Sequence, residues 1–241
     1  VDVPLSTSDT LRLNAMGGQS GFEVANLRSQ ARAGQDQRQR LGDGAIWLSH
    51  LRVLDERSTV EWLAGYRGTR ATLQPSPGDT PVTASQDRRL ATATALARYS
   101  RMSGRHTLRA GLDAQWFPVR EHFVMGITSP GFNDPASPSY NPALSPHDLS
   151  RGGTPLVFEG SQAGRAIGGF IQSTHRWRSA TATLGVRYDS YAFLVRGDQF
   201  QPRVGVAWQL PGNGGVVRAS YNRNYQTPPN ENLLLSNSAE A

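Results

Sequence analysis

Three segments in the C-terminal third of the chain alternate apolar and polar residues with a period of two. Residues 180–189 place alanine, leucine, valine and tyrosine at the even positions, and threonine, arginine and aspartate at most of the odd positions. Residues 203–210 and 217–222 repeat the pattern. Because successive side chains of a strand point to opposite sides, strict alternation indicates β-strands with one apolar and one polar face. The chain must therefore form a sheet whose apolar face is covered by protein or by lipid.

The same alternation predicts further strands earlier in the chain. They lie at 9–15, about 20–26, about 42–53, 59–69, about 87–101, 106–116 and about 165–177. A glycine turn is expected at 16–19, between the first two of these strands. The alanine-rich segment 87–101 could also form a helix, but threonine at alternate positions favours a strand. The prediction is one all-β domain over 1–241 with about ten strands.

The connections between the predicted strands alternate between short and long. Tight turns at 54–57, 102–104 and 178–179 alternate with polar segments at 27–41, 73–86 and 118–160, and about ten residues join the eighth and ninth strands. Outer-membrane barrels have short turns at one end and long loops at the other, an order that a soluble sandwich has no reason to keep. The loop pattern therefore favours an antiparallel up-and-down transmembrane β-barrel.

Three arrangements could cover the apolar faces: the core of a sandwich, the interior of a soluble barrel, or lipid. Aromatic residues near the predicted strand ends favour lipid, since membrane barrels carry aromatic girdles at both interfaces. These residues are Tyr99, Trp116, Trp177, Tyr188, Trp208 and Tyr221. The opposite face carries charges that a water-filled barrel interior would accommodate: Arg12, Glu61, Arg67, Arg98, Arg109, Asp113, Arg187, Asp189, Arg203 and Arg218. No single one of them is assigned to a ligand.

Composition removes several other functions. The chain has no cysteine, which excludes disulfides and thiolate metal sites, and no apolar run reaches the ~18 residues of a membrane-spanning helix. Its net charge is +6, but the basic residues are all arginine and are scattered, so nucleic-acid binding is not expected. The five histidines show no paired-ligand spacing, and His106 and Asp113 fall on opposite strand faces. We expect no catalytic site, no metal and no cofactor.

Three stretches near the C-terminal end are similar to a known family. GVRYDSY at 185–191, FQPRVGVAWQL at 200–210 and VVRASYNRNYQTPP at 216–229 resemble barrel strands of TonB-dependent outer-membrane receptors. The stretch 169–172 before Trp177 also resembles a strand of that family, although Ser173 and Thr174 stand where the family usually has acidic residues. The resemblance is good over about 160–230 and general over 1–125.

The resemblance implies a 22-stranded barrel, an N-terminal plug domain and energy coupling through a short N-terminal motif. It also implies import of a scarce ligand, such as a siderophore, a cobalamin or an oligosaccharide. Because about ten strands and neither plug nor motif are seen, we expect an internal fragment of a larger receptor in the Gram-negative outer membrane, with both termini at the extracellular end. The expected partners are outer-membrane lipid, the TonB energy-coupling system through a missing N-terminal region, and an unknown small ligand.

Contact with that ligand is expected from the long loops, above all 118–160, and then 70–87 and 226–241. Two alternatives remain open at this point. One is a porin or structural outer-membrane barrel without a plug, and the other is a soluble all-β binding module.

Overall fold

The computed structural model describes residues 1–212 and 214–227, which form one antiparallel sheet of ten strands. Each strand pairs with the next one along the chain. The strands are β1 (Asp2–Pro4), β2 (Asp9–Glu23), β3 (Arg38–Asp55), β4 (Ser58–Gln74), β5 (Val82–Ser103), β6 (His106–Ile127), β7 (Leu156–Arg176), β8 (Ala180–Ala192), β9 (Arg196–Gln209) and β10 (Val216–Asn222). The edge strands β1 and β10 do not pair with each other within this part of the chain. The fold is therefore the unclosed wall of an up-and-down barrel.

Only short helices occur among the described residues, and all lie in connections. A five-residue helix, α1 (Arg28–Arg32), lies between β2 and β3. Two 3-10 helices, Pro142–His147 and Leu149–Arg151, lie between β6 and β7. None of these helices is long and apolar enough to cross a membrane.

The strand register confirms that the sheet has an apolar and a polar face. Leu184 of β8 lies opposite Val204 of β9, and Ala182 lies opposite Val206, so the even positions of both strands share the apolar face. The large side chains of this face are exposed: 68% for Leu112, 59% for Leu184 and 48% for Val206. A soluble protein rarely exposes so extended an apolar surface, which indicates that lipid covers it.

The predicted aromatic residues lie on the apolar face in two groups. Of the predicted residues, Tyr99, Trp177 and Trp208 lie nearer the tight-turn end, and Trp116 and Tyr188 lie nearer the opposite end. Tyr66 and Phe200, which were not predicted, join the second group. The Tyr188 and Phe200 rings are 4.7 Å apart. Tyr221, the remaining predicted member, lies at mid-height opposite Val204. The two groups have the arrangement of interfacial girdles around an apolar band.

The first two predicted strands are wrong as separate elements. Residues 9–23 form the single strand β2, which continues through the expected glycine turn at 16–19. Gly17 and Gly18 have no positive φ angle, and a turn at glycine is expected only where that freedom is used. The number of strands is nevertheless ten, because the short β1 pairs with the start of β2.

The connections at the long-loop end are shorter than the sequence predicted. They span 24–37, 75–81, 128–155 and 193–195 instead of 27–41, 73–86, 118–160 and about ten residues. The tight turns are 5–8, 56–57, 104–105 and 177–179. The β8–β9 connection of three residues breaks the expected rule that every loop at this end is long. Segment 87–101 lies within β5 and is a strand, as predicted.

The outward face of β6 changes character above Trp116. Leu112, Ala114 and Trp116 lie on the apolar face, but the next residues on that face are Pro118, Arg120 and His122. The opposite face changes in the other direction, since Val119 is 2% exposed and Ile127 is fully buried. This inversion of the apolar phase marks the level at which β6 leaves the lipid.

Candidate functional site

The polar face holds charged side chains that pair within and between strands. Three cross-strand pairs are Arg12 with Asp2 (2.7 Å), Arg67 with Asp43 (2.5 Å) and Arg98 with Glu61 (3.9 Å). Arg109, Arg203 and Arg218 lie on the same face and make no ion pair with a described residue. The prediction that this face accommodates charge is therefore confirmed.

The most connected group on the polar face is centred on Arg187 of β8. Its Nε donates to Asp189 Oδ2 (2.7 Å) and its Nη2 to Asp189 Oδ1 (2.5 Å). On its other side Nη1 lies 3.0 Å from Oδ1 of Asp113, which belongs to β6, two strands away. The three side chains are only 20–29% exposed, so each carboxylate depends on the guanidinium more than a fully solvated group would.

Gly168 of β7 makes this bridge possible. It lies opposite Asp113 on one side and opposite Asp189 on the other, and the Arg187 side chain crosses over it. A Cβ atom at Gly168 would overlap Arg187 Nη2 and both carboxylates. The glycine is thus required by a close side-chain approach, because its backbone φ is not positive.

The same group fixes the chain after β10. Gln201 of β9, 3% exposed, donates its side-chain amide to Asp189 Oδ2. Its Oε1 accepts a hydrogen bond from the backbone N–H of Tyr225 at 3.0 Å. Asp113, Arg187, Gln201 and Tyr225 line a groove of about 320 Å³. A polar, water-accessible groove of this kind can bind a charged or hydroxyl-bearing ligand.

An apolar cluster lies next to this group, towards the long-loop end. It consists of Phe117, Val119, Phe158, Tyr191 and Phe193. The Phe117 ring stacks on Tyr191 (centroids 5.9 Å apart) and tilts against Phe193 (5.6 Å). A Cβ atom at Gly164 would overlap the Phe117 ring. The cluster gives the polar face a packed, aromatic-lined upper region.

Asp79 connects the loops above the sheet. Its carboxylate accepts hydrogen bonds from Ser76 Oγ (2.6 Å), Ser76 N (2.9 Å) and Gln37 Nε2 (3.0 Å). Thr128 Oγ1 donates to the Asp79 carbonyl (2.7 Å). Asp79 is 4% exposed, and it joins the connections 24–37, 75–81 and 128–155 into one assembly.

Gly78 allows these connections to approach each other closely. A Cβ atom there would overlap the backbone of Gly34 and the Ala33 carbonyl. The 128–155 connection has order of its own, since Asn133 and Asn141 exchange two hydrogen bonds of 2.9 Å. The long-loop end is therefore packed against itself.

The loop assembly should loosen in acid. Burial alone raises the pKa of Asp79, but hydrogen bonds from Ser76, Gln37 and Thr83 outweigh it and hold the pKa below its ordinary value. A carboxyl with a lowered folded-state pKa contributes stability above its unfolded pKa and loses it as the pH falls through the folded pKa. We expect amide exchange in 75–81 of the full receptor to accelerate as the pH falls below about 4. Hydrogen–deuterium exchange against pH measures this.

Asp79→Asn should already accelerate that exchange at neutral pH. The NH₂ group of the asparagine would face the Ser76 and Gln37 groups that donate hydrogen bonds to the Asp79 carboxylate. Asp134→Asn is the matched control, since Asp134 is exposed and its carboxylate accepts one hydrogen bond, from the Ala136 N–H. Equal exchange in the wild type and Asp79→Asn at neutral pH would show that Asp79 does not hold the loops.

The structure agrees only in part with the three segments that were expected to contact the ligand. Much of 118–160 is strand, and 128–155 remains as the loop; of 70–87, only 75–81 is loop. Most of 226–241 lies outside the described residues.

The sequence did not indicate Asp79 or the Gly78 contact, because neither lies in a motif. Among the described residues, no group of three or more His, Asp or Glu side chains could hold a metal ion.

Two contacts made by histidine side chains were also not predicted from the sequence. His106 and His175 lie opposite each other on the apolar face, with Nδ1 and Nε2 3.3 Å apart. His50 accepts a hydrogen bond from the Trp62 indole (2.9 Å) and lies 2.9 Å from Asp9. Both contacts lie near the tight-turn end. His106 and Asp113 lie on opposite faces, as expected.

The comparisons with known proteins agree with this architecture. A structure of BauA, the ferric preacinetobactin receptor from Acinetobacter baumannii, matches 89% of this chain with 13% identity and a TM-score of 0.54. The ferric citrate transporter FecA in its unliganded form matches 87%, with 13% identity and a TM-score of 0.53. The RagAB peptide transporter matches 86%, with 12% identity and a TM-score of 0.51. At such identities the likeness concerns the fold.

The chain spans 37%, 32% and 29% of these three proteins. No curated protein sequence matches it. A family model described as "TonB dependent receptor-like, beta-barrel" matches residues 4–239, which is nearly the whole chain. That family resides in the Gram-negative outer membrane. The chain therefore belongs to the β-barrel family of TonB-dependent receptors.

Proposed function

We propose that the receptor containing this chain imports a scarce small ligand across the outer membrane, driven by the TonB system. The observation that carries the proposal is the family match over 4–239 together with a ten-stranded barrel wall. A plug domain and a TonB-contacting segment elsewhere in the full protein are part of the proposal. The ligand would belong to the siderophore, cobalamin or oligosaccharide class.

The polar face supports this function because it is the inner wall of the barrel. The Arg187 group and the apolar cluster lie side by side near the long-loop end, where a ligand enters from outside. Aromatic rings with a few fixed polar groups are typical of small-molecule sites. Of the solved neighbours, BauA is named for ferric preacinetobactin, FecA for ferric citrate and RagAB for peptides.

The loop 128–155 is the proposed first contact. Phe132, within it, is a large apolar side chain that remains 50% exposed although the backbone around it is ordered by the Asn133–Asn141 hydrogen bonds. An exposed ring on an ordered loop is suited to stacking on a ligand. We also assign ligand contact to 75–81 and 226–241.

Uptake measurements test the proposal. A strain lacking the full-length receptor should lose uptake of one among a panel of radiolabelled ferric siderophores, cobalamin and oligosaccharides. The full-length gene should restore it only when TonB is functional. Phe132→Ala should weaken the apparent affinity several-fold, whereas Leu27→Ala, which truncates an even more exposed apolar side chain (69%) in another loop, should not.

The outcomes distinguish the alternatives. Uptake restored without TonB would replace the proposal with a passive pore. A full-length protein that is monomeric and stable without detergent would replace it with a soluble binding module. If the strain lacking the receptor still takes up every ligand of the panel, the three proposed ligand classes are rejected.

A further inference from the structure

Three arginines lie directly opposite one another on the lipid-facing side of the barrel wall. Arg70 of β4 pairs in register with Arg89 of β5, and Arg89 pairs with Arg120 of β6. All three side chains are exposed. We call these three residues the arginine row. Like charges directly opposite on adjacent strands destabilise a sheet, so nearby anions would stabilise the arginine row.

The protein supplies too few of them. Asp87 binds Arg70 (2.7 Å) and Arg89 (3.1 Å), so one carboxylate serves two guanidinium groups. Glu159 is engaged with His122 at 3.0 Å. Arg120 has no ion pair or side-chain hydrogen bond with any residue in the described part of the chain. A guanidinium that offers five donors in a fixed fork is therefore free at the end of the row.

The position of the row relative to the bilayer is set by the residues below it. On each of the three strands, the residue four positions nearer the tight turns belongs to another row: Tyr66, Ala93 and Trp116. Four residues span roughly 13 Å along a strand, which a tilt of about 40° reduces to roughly 10 Å of depth. The arginine row thus lies just outside the aromatic girdle, at the level of the lipid headgroups.

The surroundings of Arg120 can hold a bulky anion. Ser161 of β7 lies opposite Arg120 and adds a hydroxyl donor. Arg89, Arg120 and Ser161 line an open groove of about 490 Å³. Its carboxylates have partners of their own: Asp87 pairs with Arg70 and Arg89, Glu159 with His122, and Glu121 accepts a hydrogen bond from Gln86. The groove lies on the outer surface, because Arg120 and His122 share the face of Leu112 and Trp116.

We propose that the arginine row and Ser161 bind a phosphate group on the headgroup of a phosphorylated glycolipid in the outer leaflet. The charge of the row is complementary to phosphate, and arginine binds phosphate oxygens in a bidentate manner. A free phosphate ion would have no reason to prefer a site at the edge of an apolar band. A lipid can contact the apolar band and the arginine row at the same time: its acyl chains cover Trp116 and Leu112, and its headgroup contacts Arg120. The site is separate from ligand import, which uses the inner face.

Lipid binding by the purified full-length receptor tests the proposal. In mixed micelles with diphosphorylated lipid A, native mass spectrometry should show retained lipid, and the receptor should be stabilised against heat. Arg120→Gln should weaken the affinity roughly tenfold, as expected for one charge-assisted contact. Arg120→Lys should lose less, because it keeps the charge. Arg105→Gln, an exposed arginine in the tight turn between β5 and β6, should bind like the wild type.

Matched ligands separate the sources of phosphate. Dephosphorylated lipid A should bind no better to the wild type than to Arg120→Gln. Equal stabilisation by inorganic phosphate alone would overturn the proposal in favour of simple anion binding. Equal lipid A affinity of the wild type and Arg120→Gln, with both folded by heat-modifiable mobility on gels, would also overturn it.

Discussion

Replacing Leu112 with arginine should destabilise the full receptor in a lipid bilayer by about 2–4 kcal/mol, the cost of a cation on the lipid face of a barrel near the midplane. Leu112 lies on the apolar face of β6, six residues above the start of that strand and four below Trp116. Its side chain is 68% exposed to the space that lipid would fill. Unfolding titrations in phospholipid vesicles measure the change.

The control is Gln115→Arg, three positions further along the same strand. Gln115 lies on the polar face, opposite Thr94 and Ala166, where a charge stays in contact with water. Its replacement should change the free energy of unfolding by less than about 0.5 kcal/mol. A similarly small effect of Leu112→Arg would contradict a lipid-covered face, because exposed positions of soluble proteins tolerate such changes.

The contrast between these positions explains why so much of the wall could be predicted. Within the bilayer every second residue must be apolar, so Leu108, Leu112 and Trp116 alternate with Thr107, Arg109 and Asp113. The two environments differ greatly in polarity and impose a period of two that no other element reproduces. Strand existence, face and the polar interior therefore follow from the sequence.

Above the bilayer that constraint disappears, and the strand ends were misjudged there. Neither face of 118–127 meets the acyl chains of the lipid, and the apolar residues move to the inner face at Val119 and Ile127. Pro118 reads as the start of a loop, yet β6 continues for nine residues beyond it. The proline is tolerated because the β5–β6 pairing omits this position and resumes in the same register.

The sheet face of an aromatic side chain is harder to predict where the ring packs over a glycine of the neighbouring strand. In β3 the apolar face is occupied by Ile46 and Leu48, opposite Tyr66 and Ala64, and not by Trp47 between them. Trp47 lies instead on the polar face over Gly65, where a Cβ atom would overlap its ring. The partner glycine is 18 residues away in the sequence, so local periodicity could not reveal the contact.

The candidate site was predictable only as a set of residues on one face. Asp113, Arg187 and Asp189 were all assigned to the polar side, yet nothing in the sequence indicates that Arg187 bridges the other two. The bridge depends on the registers of β6 with β7 and of β7 with β8, which both place Gly168 between the carboxylates. Register between strands separated by a loop of 28 residues, 128–155, is set by the whole wall.

Replacing Arg187 with glutamine should destabilise the receptor by about 2 kcal/mol, because two partly buried carboxylates lose their shared cation. The estimate is below that for fully buried pairs, since the side chains are 20–29% exposed. Arg109→Gln, on the same face without an ion-pair partner among the described residues, should cost much less. Unfolding in detergent micelles compares the two.

A double variant separates the loss of the bridge from a simple loss of packing. Adding Asp113→Asn to Arg187→Gln removes one of the two stranded charges, so it should recover part of the lost stability, although Asp113→Asn alone is destabilising. Amide exchange supplies a second readout. The Tyr225 N–H is held by Gln201, which in turn donates to Asp189, so Arg187→Gln should accelerate exchange at Tyr225 and Arg109→Gln should not. If the double variant is as unstable as the sum of its parts and Tyr225 stays protected, the carboxylates do not depend on Arg187, and the group is a set of independent contacts.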